Sequence, residues 1–434
     1  MSRSTSLPLE QSPPRRSAWT RQDTTWMLGL YGTAIGAGTL FLPINAGSGG
    51  LWPLLFIALL ALPLTFFAHR GLSRFVLSGS TADGDITEVV EEHFGLTAGK
   101  LITLLYFFAI YPILLVYSVA MTNTVLSFLN HQLHIEVGTG LATRAVFSLA
   151  LILGLMSIVR LGGAFIVKAM SILVYPFVCA LMLLAFYLIP NWNNAIFTQA
   201  GSLGDALSHG GFYRTLWLVI PVMVFSFNHS PIISSFAVDQ KRLHPQQTDA
   251  AANRTLLRAH ILMVVSVMLF VFSCVLSLSP ADLMLAKQQN ISILSYLANH
   301  FQNPLIEWVA PVIAMIAISK SFLGHYLGAK EGMNGLMAKA LRSRGKAVRD
   351  EMLDRYTAVF MILTCWVVAT FNPSILGMIE TLGGPVIALL LFLMPMYAIH
   401  KVPAMRRYAG APSNLFVTAI GLIAMTAIFY KLFV

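Results

Sequence analysis

Lys320 stands in the run Ala317-Ile318-Ser319-Lys320-Ser321-Phe322-Leu323-Gly324-His325-Tyr326, inside an apolar stretch at 305–329. Nine residues separate it from the end of that stretch, roughly 14 Å at helical rise. A lysine stem does not comfortably carry its ammonium that far to water. Facing hydrocarbon there would cost at least roughly 3 kcal/mol, so the side chain is expected to face protein. An amine whose contact with water changes can take up and release a proton. Lys320, with Ser321 beside it, is therefore a candidate proton carrier. It can alternatively be a permanent ammonium where a metal cation would otherwise sit, or a tether between two helices through carbonyls.

Two further runs interrupt apolar stretches. Leu28-Gly29-Leu30-Tyr31-Gly32-Thr33-Ala34-Ile35-Gly36-Ala37-Gly38-Thr39 carries four glycines, each weakening a helix by roughly 1 kcal/mol relative to alanine and admitting a ligand close to the backbone. Phe225-Ser226-Phe227-Asn228-His229-Ser230-Pro231 places polar residues and a proline midway between Arg214 and Lys241. Pro231 has no N–H to give to the carbonyl four residues back, so the helix is expected to fail just upstream. His229 inside this break is a candidate contact for a ligand or a proton. Glu380, a short way into the tenth apolar stretch, is a candidate gate acid or proton acceptor. Tyr117, Ser118, Thr122 and Asn123 of the third can reach a ligand, although hydroxyls in membrane helices often bond neighbouring helices instead. Glu88, Glu91 and Glu92 read as a solvated face.

The elements that must position these residues follow from composition. The chain has 434 residues, 57% hydrophobic and 11% charged, with a mean hydropathy of +0.74. Soluble domains carry roughly 25% charged residues, and no soluble core of this length hides such an apolar excess. Eleven stretches are long enough to span a bilayer: 24–45, 51–69, 101–129, 143–159, 167–189, 211–236, 257–279, 305–329, 356–372, 374–398 and 413–432. With the N terminus in the cytoplasm, 23 of the 28 Lys and Arg fall on the inner side. Arg144, Arg214, Lys287 and Lys431 fall outside, and Lys320 within a span. This positive-inside bias accounts for the net charge of +10 without nucleic acid and puts the C terminus outside. Residues 1–18 read as a disordered cytoplasmic tail with no signal-peptide pattern, residues 19–400 as the core, and 401–434 as a linker and the eleventh helix.

The broken stretches are the first and the sixth. Five spans separate their starts, so the two segments run in opposite directions, as in an inverted five-plus-five repeat. The expected fold is an all-α polytopic membrane protein of eleven helices with helices 1 and 6 broken. Unpaired backbone groups at membrane depth are tolerated only where they line a cavity. Half-helix N-termini suit a carboxylate and open carbonyls suit an ammonium or a cation, so a small zwitterion fits. Thr33, Ala34, Ile35, Gly36, Ala37, Gly38, Tyr117, Ser118, Phe225, Ser226, Asn228, His229 and Ser230 form the candidate ligand set, and Lys320, Ser321 and Glu380 the candidate coupling set. No catalytic motif such as HExxH, GxSxG or a Walker A loop occurs. The three cysteines, Cys179, Cys274 and Cys365, lie apart within apolar runs and suggest neither a metal site nor a disulfide framework. Neither a cofactor nor a metal is expected.

Gly32-Thr33-Ala34-Ile35-Gly36-Ala37-Gly38, Phe225-Ser226-Phe227-Asn228-His229-Ser230-Pro231 and Lys320-Ser321-Phe322-Leu323-Gly324-His325-Tyr326-Leu327-Gly328 resemble the hydroxy and aromatic amino acid permease family of Gram-negative bacteria. The resemblance extends from about Trp19 to the C terminus. Ile86-Thr87-Glu88-Val89-Val90-Glu91-Glu92-His93-Phe94-Gly95 and Ile291-Ser292-Ile293-Leu294-Ser295-Tyr296-Leu297-Ala298-Asn299-His300-Phe301 look like that family's serine carriers. The resemblance implies an inner-membrane carrier with the LeuT-like, two-inverted-repeat fold of the amino acid–polyamine–cation superfamily, taking up L-serine with protons. The bilayer is its other expected partner, and a monomer is expected. Threonine/serine, or another hydroxy amino acid, is the alternative substrate. An amino acid sensor without net transport is the alternative of a different class, disfavoured by the lack of an appended signalling domain.

Overall fold

The computed structural model describes residues 18–81, 84–138, 140–161, 163–208, 210–342, 344–345 and 349–433. Apart from Ala18, the expected tail lies outside the described residues. Among the described residues every regular element is helical. Ten helices are long and apolar enough to cross a membrane, and Arg21–Ala34 with Gly38–Gly47, bent by 53°, make an eleventh span. Spans 2 to 5 are Leu51–Leu77, Ile86–His131, Leu141–Val159 and Gly163–Tyr187. Span 6 joins Gly210–Ser226 to Ile233–Leu243. Spans 7 to 11 are Thr248–Ser277, Pro304–Arg342, Asp350–Phe371, Ile375–Lys401 and Pro412–Phe433. Each coincides with one of the eleven stretches expected from sequence.

Burial sorts these helices into inner and outer ones. In span 10, 72% of the apolar window is buried, against 22% in span 4, so span 10 lies inside and span 4 presents Val146 and Leu153 outward. Exposed Leu59, Phe371 and Leu415 extend the same apolar surface. Water would penalise it at about 25 cal/mol per Å², whereas lipid does not.

Both expected breaks are present. In span 1 the helix starts on a capping box between Thr20 and Asp23 and stops at Ala34. Ile35 is extended (φ −76°, ψ 93°), as is Gly36 (φ −136°, ψ −157°). A short 3₁₀ turn, Ala37–Leu40, then leads into Leu42–Gly47. In span 6 the helix stops at Ser226 and resumes through the turn Ser230–Ile232. Pro231 lies within that turn, where its missing N–H costs least.

Several elements depart from the expectation. Span 3 begins at Ile86 and bends at Gly95, whose φ of 86° favours glycine. The glutamates read as a solvated face lie at that start: Glu88 and Glu92 are exposed and Glu91 is half-buried, and each has a partner. Glu88 completes a capping box with Asp85, Glu91 accepts from Lys339 Nζ at 2.5 Å, and Glu92 accepts from the Ser80 N–H at 2.9 Å. Span 8 continues to Arg342, because its basic extension packs on that same segment through Lys339. Between spans 7 and 8 lie two capped helices, Pro280–Gln289 and Ile293–His300. Span 10 contains two π turns, Ile379–Gly383 and Leu389–Leu393.

Spans 10 and 6 approach until no side chain fits between them. A Cβ built on Gly384 would lie 2.3 Å from the Pro221 carbonyl oxygen, a backbone atom, whereas one on Gly154 meets nothing within 4 Å. Overpacking costs roughly 1–3 kcal/mol, and a helical glycine replaced in open space gains about 1 kcal/mol. Thermal unfolding in detergent should therefore place Gly384→Ala clearly below the wild type and Gly154→Ala at or above it. Equal melting of the two variants would contradict the close contact.

Candidate functional site at the two helix breaks

The breaks meet through backbone. Ser226 Oγ donates to the Gly38 carbonyl at 3.0 Å, and a Cβ on Gly38 would lie 3.1 Å from Ser226 Cα and 2.9 Å from the Phe225 ring. The Gly36 carbonyl, freed by the bend, is taken by Thr39 Oγ1 at 2.6 Å. Gly36 itself is needed for space and not for its dihedrals, which any residue adopts. A Cβ there would lie 2.2 Å from Ser321 Oγ and 3.9 Å from the Tyr117 hydroxyl. Of the other glycines in this run, Gly32 admits Val174 of span 5 at 2.5 Å, while Gly29 meets nothing within 4 Å.

Lys320 is buried, at 2% exposure. Its ammonium donates to the Gly32 carbonyl at 2.6 Å and the Ile35 carbonyl at 3.0 Å, with the Phe177 ring 5.3 Å away. These carbonyls belong to the C-terminal end of the first half-helix, where the macrodipole is negative. The ammonium thus sits where a cation is favoured, and it ties span 8 to the broken end of span 1. Ser321, the next residue, faces Gly36 together with the Tyr117 hydroxyl. The Tyr117 ring makes edge contacts with Phe225 at 6.2 Å and with His325 at 5.3 Å. One wall is therefore shared by spans 3, 6 and 8, and His325 belongs to it.

Other expected residues point elsewhere. Ser118 Oγ donates to Leu115 and to the Cys365 carbonyl of span 9 at 3.2 Å, so it joins two helices away from the breaks. Thr33 Oγ1 returns to the Gly29 carbonyl at 2.8 Å. Asn228 Oδ1 accepts from the Ser230 N–H at 3.1 Å, capping the second half of span 6. His229 turns away from span 1 altogether: its ring stacks on His69 of span 2 at 3.6 Å. Ala34, Ile35, Phe225 and Ser226 are buried at the meeting of the breaks; the Ala37 side chain lies outside the described residues.

Glu380 closes one end of the site. Its carboxylate accepts from Asn45 Nδ2 at 2.8 Å and lies 3.7 Å from Lys287 Nζ, joining the second half of span 1, the first π turn of span 10 and the helix Pro280–Gln289. At the opposite end, Asp23 accepts from Gln240 Nε2 at 3.0 Å and is 3.1 Å from His244 Nε2, joining the outer ends of the two broken spans. Beside that contact a cleft of about 390 Å³, lined by Trp26, Gly29, Gly32, Thr33, Val174 and Ile232 among others, reaches the first break from the face that carries the N terminus. Sequence singled out neither Asn45 nor Asp23. Asn45 is a lone polar residue near a span end, whereas Asp23 stands in the polar run Thr20-Arg21-Gln22-Asp23-Thr24-Thr25 and carries no such signal.

Two oppositely running broken helices, meeting through backbone and flanked by an ammonium, define a multi-pass membrane carrier of the LeuT-like class. The chain belongs to the tryptophan/tyrosine permease family, whose model matches residues 25–429. It is 66% identical to the serine transporter SdaC of Escherichia coli K12, over 97% of each chain. It is 47% identical to the threonine/serine transporter TdcC of Escherichia fergusonii, over 96% of this chain and 97% of that one. Among solved structures it resembles MhsT in complex with L-phenylalanine (TM-score 0.56, 16% identity, 96% of this chain and 99% of that one). It also resembles a manganese transporter mutant of Eremococcus coleocola (TM-score 0.62, 11% identity, 97% and 88%). These relatives are transporters and not enzymes.

The Gly36–Ser321 approach has a direct consequence. Gly36→Ala should destabilise the protein by roughly 1–3 kcal/mol, and Ser321→Ala, which leaves only a Cβ at 3.3 Å, should recover much of that loss. A double-mutant cycle of thermal unfolding reads the coupling. Strictly additive effects would mean that the two residues do not touch.

Proposed function

We propose that the protein carries L-serine into the cell across the bacterial inner membrane together with protons, by alternating access. The observation that carries this reading is the junction of two opposed helix breaks, Ser226 on the Gly38 carbonyl, beside an ammonium held on helix-end carbonyls. The 66% identity to a serine transporter over nearly the whole chain favours serine over other small zwitterions. In this reading the substrate's charged ends are held by backbone of 33–38 and 226–230. In span 6 the Ser230 N–H is already taken by Asn228 Oδ1, so the first N–H groups of the resumed half of span 1, which lack intrahelical acceptors, suit the carboxylate. Tyr117 and Phe225 bound the space for a short side chain.

Lys320 carries the coupling proton in this scheme. A charged donor makes hydrogen bonds about twice as strong as a neutral one. Deprotonation therefore loosens span 8 from the Gly32 and Ile35 carbonyls and frees the first half-helix to move. Ser321, which moves with Lys320, relays the change to Gly36 and Tyr117 beside it. Glu380, holding Asn45 and Lys287, latches the far side while the cleft at Gly32 and Thr33 opens on the other. The N terminus is cytoplasmic and the C terminus periplasmic, following the 23 inner Lys and Arg. The carrier works as a monomer, with the proton as coupling ion and no cofactor.

Proteoliposomes loaded at neutral pH and diluted into acidic buffer should accumulate radiolabelled serine. Competition by unlabelled serine should exceed that by threonine, cysteine or tryptophan. No accumulation rejects the symporter and leaves a sensor; stronger competition by threonine moves the substrate. Lys320→Ala should keep serine exchange while losing gradient-driven accumulation, and full accumulation by that variant would remove Lys320 from the coupling role.

A further inference from the structure

His229 of the span-6 break lies against His69 of span 2 and His260 of span 7, all three buried, with one ring nitrogen from each within 4.8 Å of the others. Their tautomers follow from their partners, because a carbonyl oxygen can only accept. His69 Nδ1 faces the Thr65 carbonyl at 2.8 Å, His229 Nδ1 the Phe227 carbonyl at 3.0 Å, and His260 Nδ1 the Leu256 carbonyl at 2.6 Å. Each Nδ1 therefore bears the hydrogen, and each Nε2 presents a lone pair. His69 Nε2 accepts the backbone N–H of His229 at 3.3 Å. Nε2 of His229 and Nε2 of His260 have no hydrogen-bond partner. A neutral cluster thus buries two acceptors side by side with no donor, which costs free energy.

We infer that His69, His229 and His260 form a proton-binding site, in which a single proton is held between Nε2 of His229 and Nε2 of His260. In the neutral cluster the two nitrogens make no hydrogen bond to each other; one added proton makes one of them a donor, and with the ring nitrogens within 4.8 Å of one another the rings then close on the shared proton. A transition-metal ion fits less well. The rings of His69 and His229 are parallel within 5° at 3.6 Å, so an ion shared by both would lie about 1.8 Å out of each ring plane, whereas imidazole ligates in its plane at about 2.0 Å. Titratable groups on the neighbouring elements are engaged elsewhere. Tyr31 donates to Ser266, Arg70 to Ser413 and Lys241 to the Gly79 carbonyl. Arg74 pairs with Asp249, and Lys401 lies over Tyr397.

The cluster grips the span-6 break from spans 2 and 7. The same His229 whose ring would share the proton gives its amide to His69, and its neighbour Ser226 holds the Gly38 carbonyl. Proton occupancy therefore sets how firmly spans 2 and 7 hold that break. This is a second protonatable site, separate from Lys320. Its part in transport rests on the proton-coupled reading above; its existence does not.

Full-length protein with ¹⁵N-labelled histidine in lipid nanodiscs tests the site directly. Between about pH 8 and about pH 5, the Nε2 signals of His229 and His260 should move together as one proton enters, and the transition should vanish in His260→Asn. That variant keeps a donor for the Leu256 carbonyl and removes the Nε2 lone pair. Signals that stay at the unprotonated position, as a bridging water would leave them, overturn the inference, and so does a joint transition that survives in His260→Asn. The wild-type titration decides even if the variant fails to fold. In proteoliposomes, His260→Asn should retain serine counterflow within about twofold and lose at least about fivefold of the stimulation by a pH gradient. Unchanged stimulation overturns the part in transport. A wild type without gradient stimulation rejects the proton-coupled reading itself, while the nanodisc titration still decides the site.

Discussion

Backbone polar groups left unpaired in hydrocarbon cost several kcal/mol each, and this chain leaves helical pairing twice in its interior. What surrounds the breaks is arranged by that cost. Lys320 takes the carbonyls of Gly32 and Ile35, Thr39 takes that of Gly36, and Ser226 takes that of Gly38. In span 6, His229 Nδ1 takes the Phe227 carbonyl and Asn228 caps Ser230. Polar side chains that would be expensive anywhere else in an apolar chain are each placed against a freed backbone group. The same economy explains the glycines: Gly36 and Gly38 let Ser321 and Phe225 come close enough to wall the junction.

Satisfying a break with side chains from other helices makes it a mechanical joint. Each of these bonds crosses between elements: Lys320 from span 8 to span 1, Ser226 from span 6 to span 1, His69 from span 2 to span 6. Removing charge from one of them weakens a specific pair of spans and leaves the others intact. A continuous helix pairs its own backbone and has no such dependence. In the proposed reading the breaks convert a change of protonation into a change of packing, which an unbroken bundle of equal hydrophobicity lacks the joints to do.

The eleven spans were legible because lipid demands about twenty apolar residues per crossing, and composition alone carries that signal. The breaks were legible because glycine and proline disrupt helices by local chemistry that needs no tertiary context. Lys320 was legible for the same reason, a charge too deep to reach water. Other features depend on contacts that sequence does not display. The bend at Gly95 is one glycine among 31, and only the structure shows that its φ of 86° falls inside a helical span. The π turns of span 10 carry no composition signal. Ser118 and His229 were placed at the ligand by proximity in sequence, yet their rotation about the helix axis turns them to span 9 and span 2. A run of residues locates a break; it does not say which way each side chain faces.

The two ends of the site illustrate how far charge placement constrains the molecule. Asp23 is fully buried and remains tolerable because a helix N-terminus, Gln240 and His244 all point at it. Glu380 is nearly as buried and has Asn45 and Lys287. Both acids lie at an end of a broken span, and both join a half-helix of span 1 to an element that is not its sequence neighbour. A buried carboxylate deprived of its partners is strongly destabilising, so neither end can open without rehydrating its acid. Opening one end is therefore compatible with structure only where water enters behind the moving half-helix. The cleft at Gly32 and Thr33 lies beside Asp23, on the face away from Glu380. An arrangement that wets one acid while the other keeps its partners exposes the junction of the breaks to one side at a time.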